Sequence, residues 1–269
     1  MRRVTTRPRV VAHRGASEDE AEHTLAAYER ALADGADGVE CDIRLTRDGV
    51  LVCVHDRRID RTSSGRGLVS SLELADLADL DFASWHRRAA GNGAEGPDWD
   101  RDGVLTLDRL LGVVADCGRT VDVAIETKHP TRYAGLVELA LAEVLTKHRS
   151  SRSGTNGRVN VRTMSFASSS LRRIRSLAPE VPTVYLMTRL PMRYRNGLLP
   201  AGAFAAGPSL RLLRGHPSYV DRVHEAGGEV HVWTVNDADD VAYVAGLGVD
   251  VIITNRPRAV RDQLENRAG

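Results

Sequence analysis

Short runs rich in valine and isoleucine alternate with helical stretches along this chain, and no other feature restricts the fold so much. Such runs suit the strands of a parallel sheet covered by helices, since both of their faces are buried. Strands are predicted over 9–13, 38–45, 50–55, 121–128, 158–166, 181–187, 203–208, 229–235 and 249–254. That is nine, one more than an eight-stranded barrel holds. Arg47-Asp48-Gly49 explains the surplus as a hairpin turn that folds the third run back beside the second. Helices are expected over 24–33, 107–116, 132–147, 168–177, one within 189–199, 216–226, 238–247 and 257–266, with apolar spacing such as Leu136, Leu139, Leu141 and Leu145. Eight βα units predict an α/β fold of the TIM (β/α)8 barrel type, and 269 residues suit one such domain spanning 1–269. Residues 56–104 fit no unit. They read as a small inserted cap over the C-terminal mouth, where βα loops build active sites.

Charge narrows the partners. The 37 basic residues nearly balance 36 acidic ones, so no basic face for nucleic acid is expected, and 4% aromatics offer few stacking platforms. The longest uncharged stretch, 196–210, is interrupted by glycines and prolines and cannot span a bilayer. Cys41, Cys53 and Cys117 have no metal-type spacing. With no secretory leader visible, they read as reduced thiols in a cytoplasmic protein.

Chemistry-bearing residues gather at the predicted strand ends. The first strand ends in His13-Arg14-Gly15; the second carries Glu40 and Asp42 on one face; the hairpin arm ends in His55-Asp56; the next strand carries Glu126 and Lys128. A turn centred between Arg47 and Asp48 would set Glu40 opposite His55. The same register would put Cys41 on the reverse face from Asp42 and Cys53, against a disulfide. Glu40, Asp42 and Glu126 are hard oxygen donors suited to Mg²⁺ or Ca²⁺, with Mn²⁺ admissible. His13 and His55 can serve as general base and general acid. Arg14 offers a fork for phosphate, and Lys128 a point charge in a chain whose other basic residues are arginine apart from Lys147. Together these groups suit an anionic phosphodiester.

The motifs His13-Arg14-Gly15-Ala16-Ser17, Glu22-His23-Thr24, Gly38-Val39-Glu40-Cys41-Asp42-Ile43, Val54-His55-Asp56, Ile125-Glu126-Thr127-Lys128, Trp233-Thr234 and Thr254-Asn255-Arg256-Pro257 run in order from residue 9 to 257. In this respect the chain resembles the glycerophosphodiester phosphodiesterase family. The resemblance implies a TIM barrel that hydrolyses small glycerophosphodiesters to glycerol 3-phosphate and an alcohol. It implies a divalent cation on Glu40, Asp42 and Glu126, acid–base work at His13 and His55, and a substrate contact at Trp233. It further implies attack by the glycerol 2-hydroxyl on phosphorus, through a cyclic phosphate.

Two positions depart from the family's usual pattern. His23 stands where Asn is usual, and is read as either a capping or surface residue or a site residue. Asn255 stands where Asp is usual, and is expected to serve packing or capping below the chemistry. Two other functions use the same residues: a lysophospholipase D-type activity needing an apolar groove, and a catalytically weak phosphodiester- or metal-binding barrel. Residues 189–214, with five arginines among apolar residues, could touch a membrane surface; the ordinary reading as a barrel loop and helix is preferred.

Overall fold

The protein is described by a computed structural model covering residues 7–89, 91, 98–128, 134–151 and 159–267. The start of the helix expected over 132–147, and Arg158 of the expected strand 158–166, lie outside the described residues. The strands are β1 (Arg9–His13), β2 (Gly38–Leu45), β3 (Leu51–Cys53), β4 (Val121–Thr127), β5 (Val159–Ser165), β6 (Thr183–Met187), β7 (Ala205–Pro208), β8 (Glu229–Val232) and β9 (Val251–Thr254). β1 pairs in parallel with both β2 and β9, which closes the sheet. All barrel strands are parallel, and β3 alone is antiparallel, lying outside the ring against β2. The molecule is therefore an eight-stranded TIM barrel with a hairpin arm, as the strand pattern predicts.

The barrel's interior is a packed layer of Val11, Ala124, Met164, Val184, Ala205, Val251 and Ile253. Alternate residues, such as Val39, Cys41 and Ile43 of β2 and Val121, Val123 and Ile125 of β4, point outward beneath the helices. Burial on both faces explains why these strands read as continuous apolar runs. Helix starts are set by side-chain caps. Thr24 Oγ1 accepts from Ala27 N–H at the head of helix Leu25–Ala33, and Thr106 Oγ1 accepts from Arg109 N–H at the head of helix Leu107–Asp116.

The structure corrects three expectations. No α-helix forms over 189–199; two 3₁₀ turns, Met192–Tyr194 and Pro200–Gly202, take its place. Gly197, at φ +85°, presses so close to the Arg222 carbonyl that a Cβ would stand 2.0 Å from it. Secondly, the helix expected over 216–226 forms as Tyr219–Glu225, but an unexpected helix, Leu210–Gly215, precedes it, capped by Ser209 and separated from it by Pro217.

The third correction concerns the hairpin. Thr46 N–H donates to the Val50 carbonyl and Val50 N–H to Thr46 Oγ1, while Gly49 takes φ +85°. This loop centres on Asp48, one half-step further than expected, so Ile43 pairs with Cys53 and Leu45 with Leu51. Glu40 is thus not opposite His55, and Cys41 and Cys53 lie on the same face, as buried free thiols in one apolar cluster. The parity argument against their pairing fails with the register.

The insertion packs its Ile59, Val69, Leu77 and Phe82 against Val52 and Val54 of the hairpin arm, forming a satellite core. No helix among the described residues is long and apolar enough to cross a membrane.

Candidate functional site

Three adjacent strands bring the charged residues together. In the β1–β2 register His13 stands beside Glu40, and in the β2–β4 register Asp42 stands beside Glu126. One oxygen from each of Glu40, Asp42 and Glu126 can be chosen so that all three lie within 4.8 Å of one another. All three side chains are buried. Like charges at this distance are costly without compensation. Lys128, just past the end of β4, supplies part of it: its Nζ lies 3.0 Å from Asp42 Oδ1 and 2.8 Å from Glu126 Oε1. Arg14 supplies more. Its backbone N–H donates to Glu40 Oε2, its Nη1 donates to Glu22 Oε1, and its Nε lies 3.1 Å from Asp42 Oδ2.

The carboxylates respond unequally. Burial and then Asp42 push Glu40 well above the ordinary range. Burial and Asp42 likewise raise Glu126 to about 8. Burial also pushes Asp42 upward, but His23, Lys128 and Arg14 outweigh it and hold that carboxyl well below its ordinary value. Asp42 is therefore the fixed anion, while Glu40 and Glu126 are held toward the protonated side. A buried set of hard oxygens in this condition fits a divalent cation.

The two histidines flank this cluster with different partners. His13 Nδ1 meets Asn255 Oδ1 at 2.7 Å. Asn255 is itself held by its backbone N–H donating to Asn236 Oδ1 at 2.9 Å. The expectation that Asn255 sits below the chemistry is therefore overturned: it orients the first histidine. Burial, then Arg14, lowers the His13 pKa to about 4. His55 Nδ1 instead meets the carboxylate Asp56 Oδ1 at 2.7 Å, and Asp56 Oδ2 accepts from Arg61 Nε at 2.6 Å. Burial lowers the His55 pKa, with Asp42 and Asp56 opposing. His55 reaches the mouth because the chain leaves the sheet after Cys53, and the Arg44 guanidinium grips the His55 carbonyl.

His23, also left open by the sequence, is buried against the carboxylate cluster and not at the surface. At φ +63° its ring is buried, with Nε2 3.0 Å from Asp42 Oδ2 and Nδ1 2.8 Å from the Tyr28 hydroxyl. Glu22 bridges Arg14 and Arg61. Trp233 follows β8 directly; its indole N–H donates to the Gly207 carbonyl and its ring meets Phe166 edge-on at 5.5 Å. It closes one side of the mouth above the barrel's interior layer.

Comparison with known proteins agrees with this geometry. The model of the Glycerophosphoryl diester phosphodiesterase family matches residues 13–259. A Mycobacterium tuberculosis protein named "Probable glycerophosphodiester phosphodiesterase 1" is 45% identical over 96% of this chain and 93% of its own length. The glycerophosphodiester phosphodiesterase of Bacillus subtilis is 34% identical over 92% of this chain and 83% of its own. In fold, the chain resembles an Oleispira antarctica phosphodiesterase solved with the product sn-glycerol-3-phosphate, with TM-score 0.82 and 24% identity over 96% of this chain and 97% of that one. The match extends over nearly every strand that carries a site residue, and the chain belongs to the glycerophosphoryl diester phosphodiesterase family.

Proposed function

We propose that this protein hydrolyses glycerophosphodiesters to glycerol 3-phosphate and an alcohol, with His13 as general base and His55 as general acid. The observation that carries the assignment is the contrast between their Nδ1 partners. Asn255 offers His13 an uncharged carbonyl oxygen, so Nδ1 holds the ring's proton and Nε2 keeps a free lone pair. Asp56 offers His55 a carboxylate, which stabilises the imidazolium needed to release a proton.

The steps balance on these groups. The glycerol 2-hydroxyl attacks phosphorus while His13 takes its proton. The bond from phosphorus to the alcohol oxygen breaks, and His55 protonates that oxygen. Water then opens the cyclic phosphate with the two histidines in reversed roles. Arg14 and Lys128 carry the positive charge that faces the phosphodiester, and Trp233 gives the substrate an apolar wall. Glu40, Asp42 and Glu126 would hold a divalent cation, Mg²⁺ or Ca²⁺, which when bound supplies Lewis-acid stabilisation of phosphoryl charge. The free thiols Cys41, Cys53 and Cys117 suit a reducing, cytoplasmic setting.

The direct test measures glycerol 3-phosphate release from glycerophosphocholine with and without chelator. Release that chelator abolishes and Mg²⁺, Ca²⁺ or Mn²⁺ restores is expected; no release with any of the three rejects the activity. A diester of 2-deoxyglycerol should be turned over poorly, and normal turnover would reject attack by the 2-hydroxyl.

A further inference from the structure

The alcohol that leaves must pass His55, so what surrounds His55 selects among alcohols. Beside it opens a cavity of about 480 Å³, between the barrel mouth and the first residues of the insertion. That volume lies within the ~300–1,000 Å³ of small-ligand sites. Its described lining is strongly cationic: five basic side chains stand against two carboxylates. Arg58 and Arg61 face those carboxylates directly, Arg58 on Asp60 and Arg61 on Asp56. The rest of the positive charge comes from Arg44, Arg57 and Lys128.

The position of each cation matters. Arg44 is buried, and its Nε–H and Nη2–H both donate to the His55 carbonyl, which commits that edge of the guanidinium to holding the general acid in place. Lys128 faces the cavity from the carboxylate side, where Asp42 and Glu126 already share its charge. Arg57 is exposed and directly follows Asp56, so its fork can swing over the opening. No Phe, Tyr or Trp is among the described lining residues, and these are the rings whose faces a quaternary ammonium prefers.

We infer that this cavity is a leaving-alcohol subsite selective for anionic alcohols, above all those carrying a phosphate monoester, which the exposed Arg57 would grip. The inference rests on the proposed phosphodiesterase reading. It makes the enzyme one that discriminates by headgroup charge, preferring products of deacylated, multiply phosphorylated lipids to choline esters. Forked arginines match phosphate geometry, and an open cationic cavity gathers anions in a salt-dependent way.

The experiment compares kcat/KM for three substrates: sn-glycero-3-phosphoglycerol, the same molecule with a phosphate monoester on its terminal hydroxyl, and glycerophosphocholine. The phosphorylated diester is expected to lead its unphosphorylated twin at least tenfold at low salt, with the choline ester slowest. Arg57→Glu, at an exposed position that does not threaten folding, should bring the first ratio close to one. Equal kcat/KM for the twins in the unaltered protein overturns the subsite while leaving the phosphodiesterase reading intact. A preference unmoved by Arg57→Glu overturns its placement here. Failure to turn over any of the three overturns the phosphodiesterase reading and the subsite with it.

Discussion

His13→Ala is expected to lower kcat by about 10²–10⁴-fold, the ordinary worth of a positioned general base, with KM changed only a few-fold. His13 contributes no cationic contact to the phosphodiester in this geometry; its Nδ1 is committed to Asn255. Removing it should therefore raise the barrier and leave binding nearly intact. His55→Ala should cost a similar factor in kcat, because the alcohol would then leave as an unprotonated alkoxide, and it should leave cation binding intact, since no carboxylate of the triad bonds to that ring. Steady-state kinetics, together with cation titration by calorimetry, checks both. A loss of less than tenfold for His13→Ala would mean that another group removes the proton. The pH profile adds a second reading. With burial and Arg14 holding His13 near 4, its neutral form persists at acidities where an ordinary histidine is charged. The acidic limb that belongs to this base should accordingly appear as pH falls through about 4, and disappear in His13→Ala.

Much of this site was legible in the sequence because strand ends in a TIM barrel point at one mouth. Once 9–13, 38–45 and 121–128 are read as neighbouring parallel strands, His13, Glu40, Asp42, Glu126 and Lys128 must converge, and in the structure they do. The supporting residues were harder to read. Asn255 lies 242 positions from His13, and only closure of β9 onto β1 makes them neighbours. His23 sits at φ +63° in the loop before its helix, and no strand or helix period predicts where such a side chain points. The hairpin register failed for a different reason. Thr46 closes the loop with its hydroxyl and Gly49 takes a left-handed conformation, which sets an odd loop where an even one was assumed. His55 still reaches the mouth, because the chain leaves the strand before the error matters.

The carboxylates should show opposite effects on stability, although the proposed activity would need each of them for turnover. Asp42 faces Arg14 Nε at 3.1 Å, His23 Nε2 at 3.0 Å and Lys128 Nζ at 3.0 Å, with 1% of its side chain exposed. Asp42→Asn keeps the shape but removes the charge those groups are arranged around. Breaking a buried ion pair from one side costs about 3–5 kcal/mol, which in a chain of this size lowers Tm by ~10 °C. Glu40 is the reverse case. Burial and Asp42 hold its folded-state pKa above the ordinary 4.5, so its contribution is complete below 4.5 and is lost as pH rises towards that elevated value. Glu126, at about 8, loses its contribution between 4.5 and 8 in the same direction. Burial lowers His13 and His55, whose opposite contributions are complete by about pH 6.5; above that, in chelator, the unaltered protein should lose stability as pH rises, and a divalent cation should reverse the slope by favouring the ionised forms. Glu40→Gln keeps an oxygen to accept from Arg14 N–H but carries no charge to bury. It should melt several degrees above the unaltered protein in chelator at pH 8, with a flatter pH dependence, while losing turnover and the cation-induced rise in Tm. Thermal melts over pH 5–9, with chelator and with Mg²⁺, separate the two variants. If Glu40→Gln and Asp42→Asn were destabilised alike, the carboxylates would be structural partners of Lys128 and Arg14, and not a site held open for a cation.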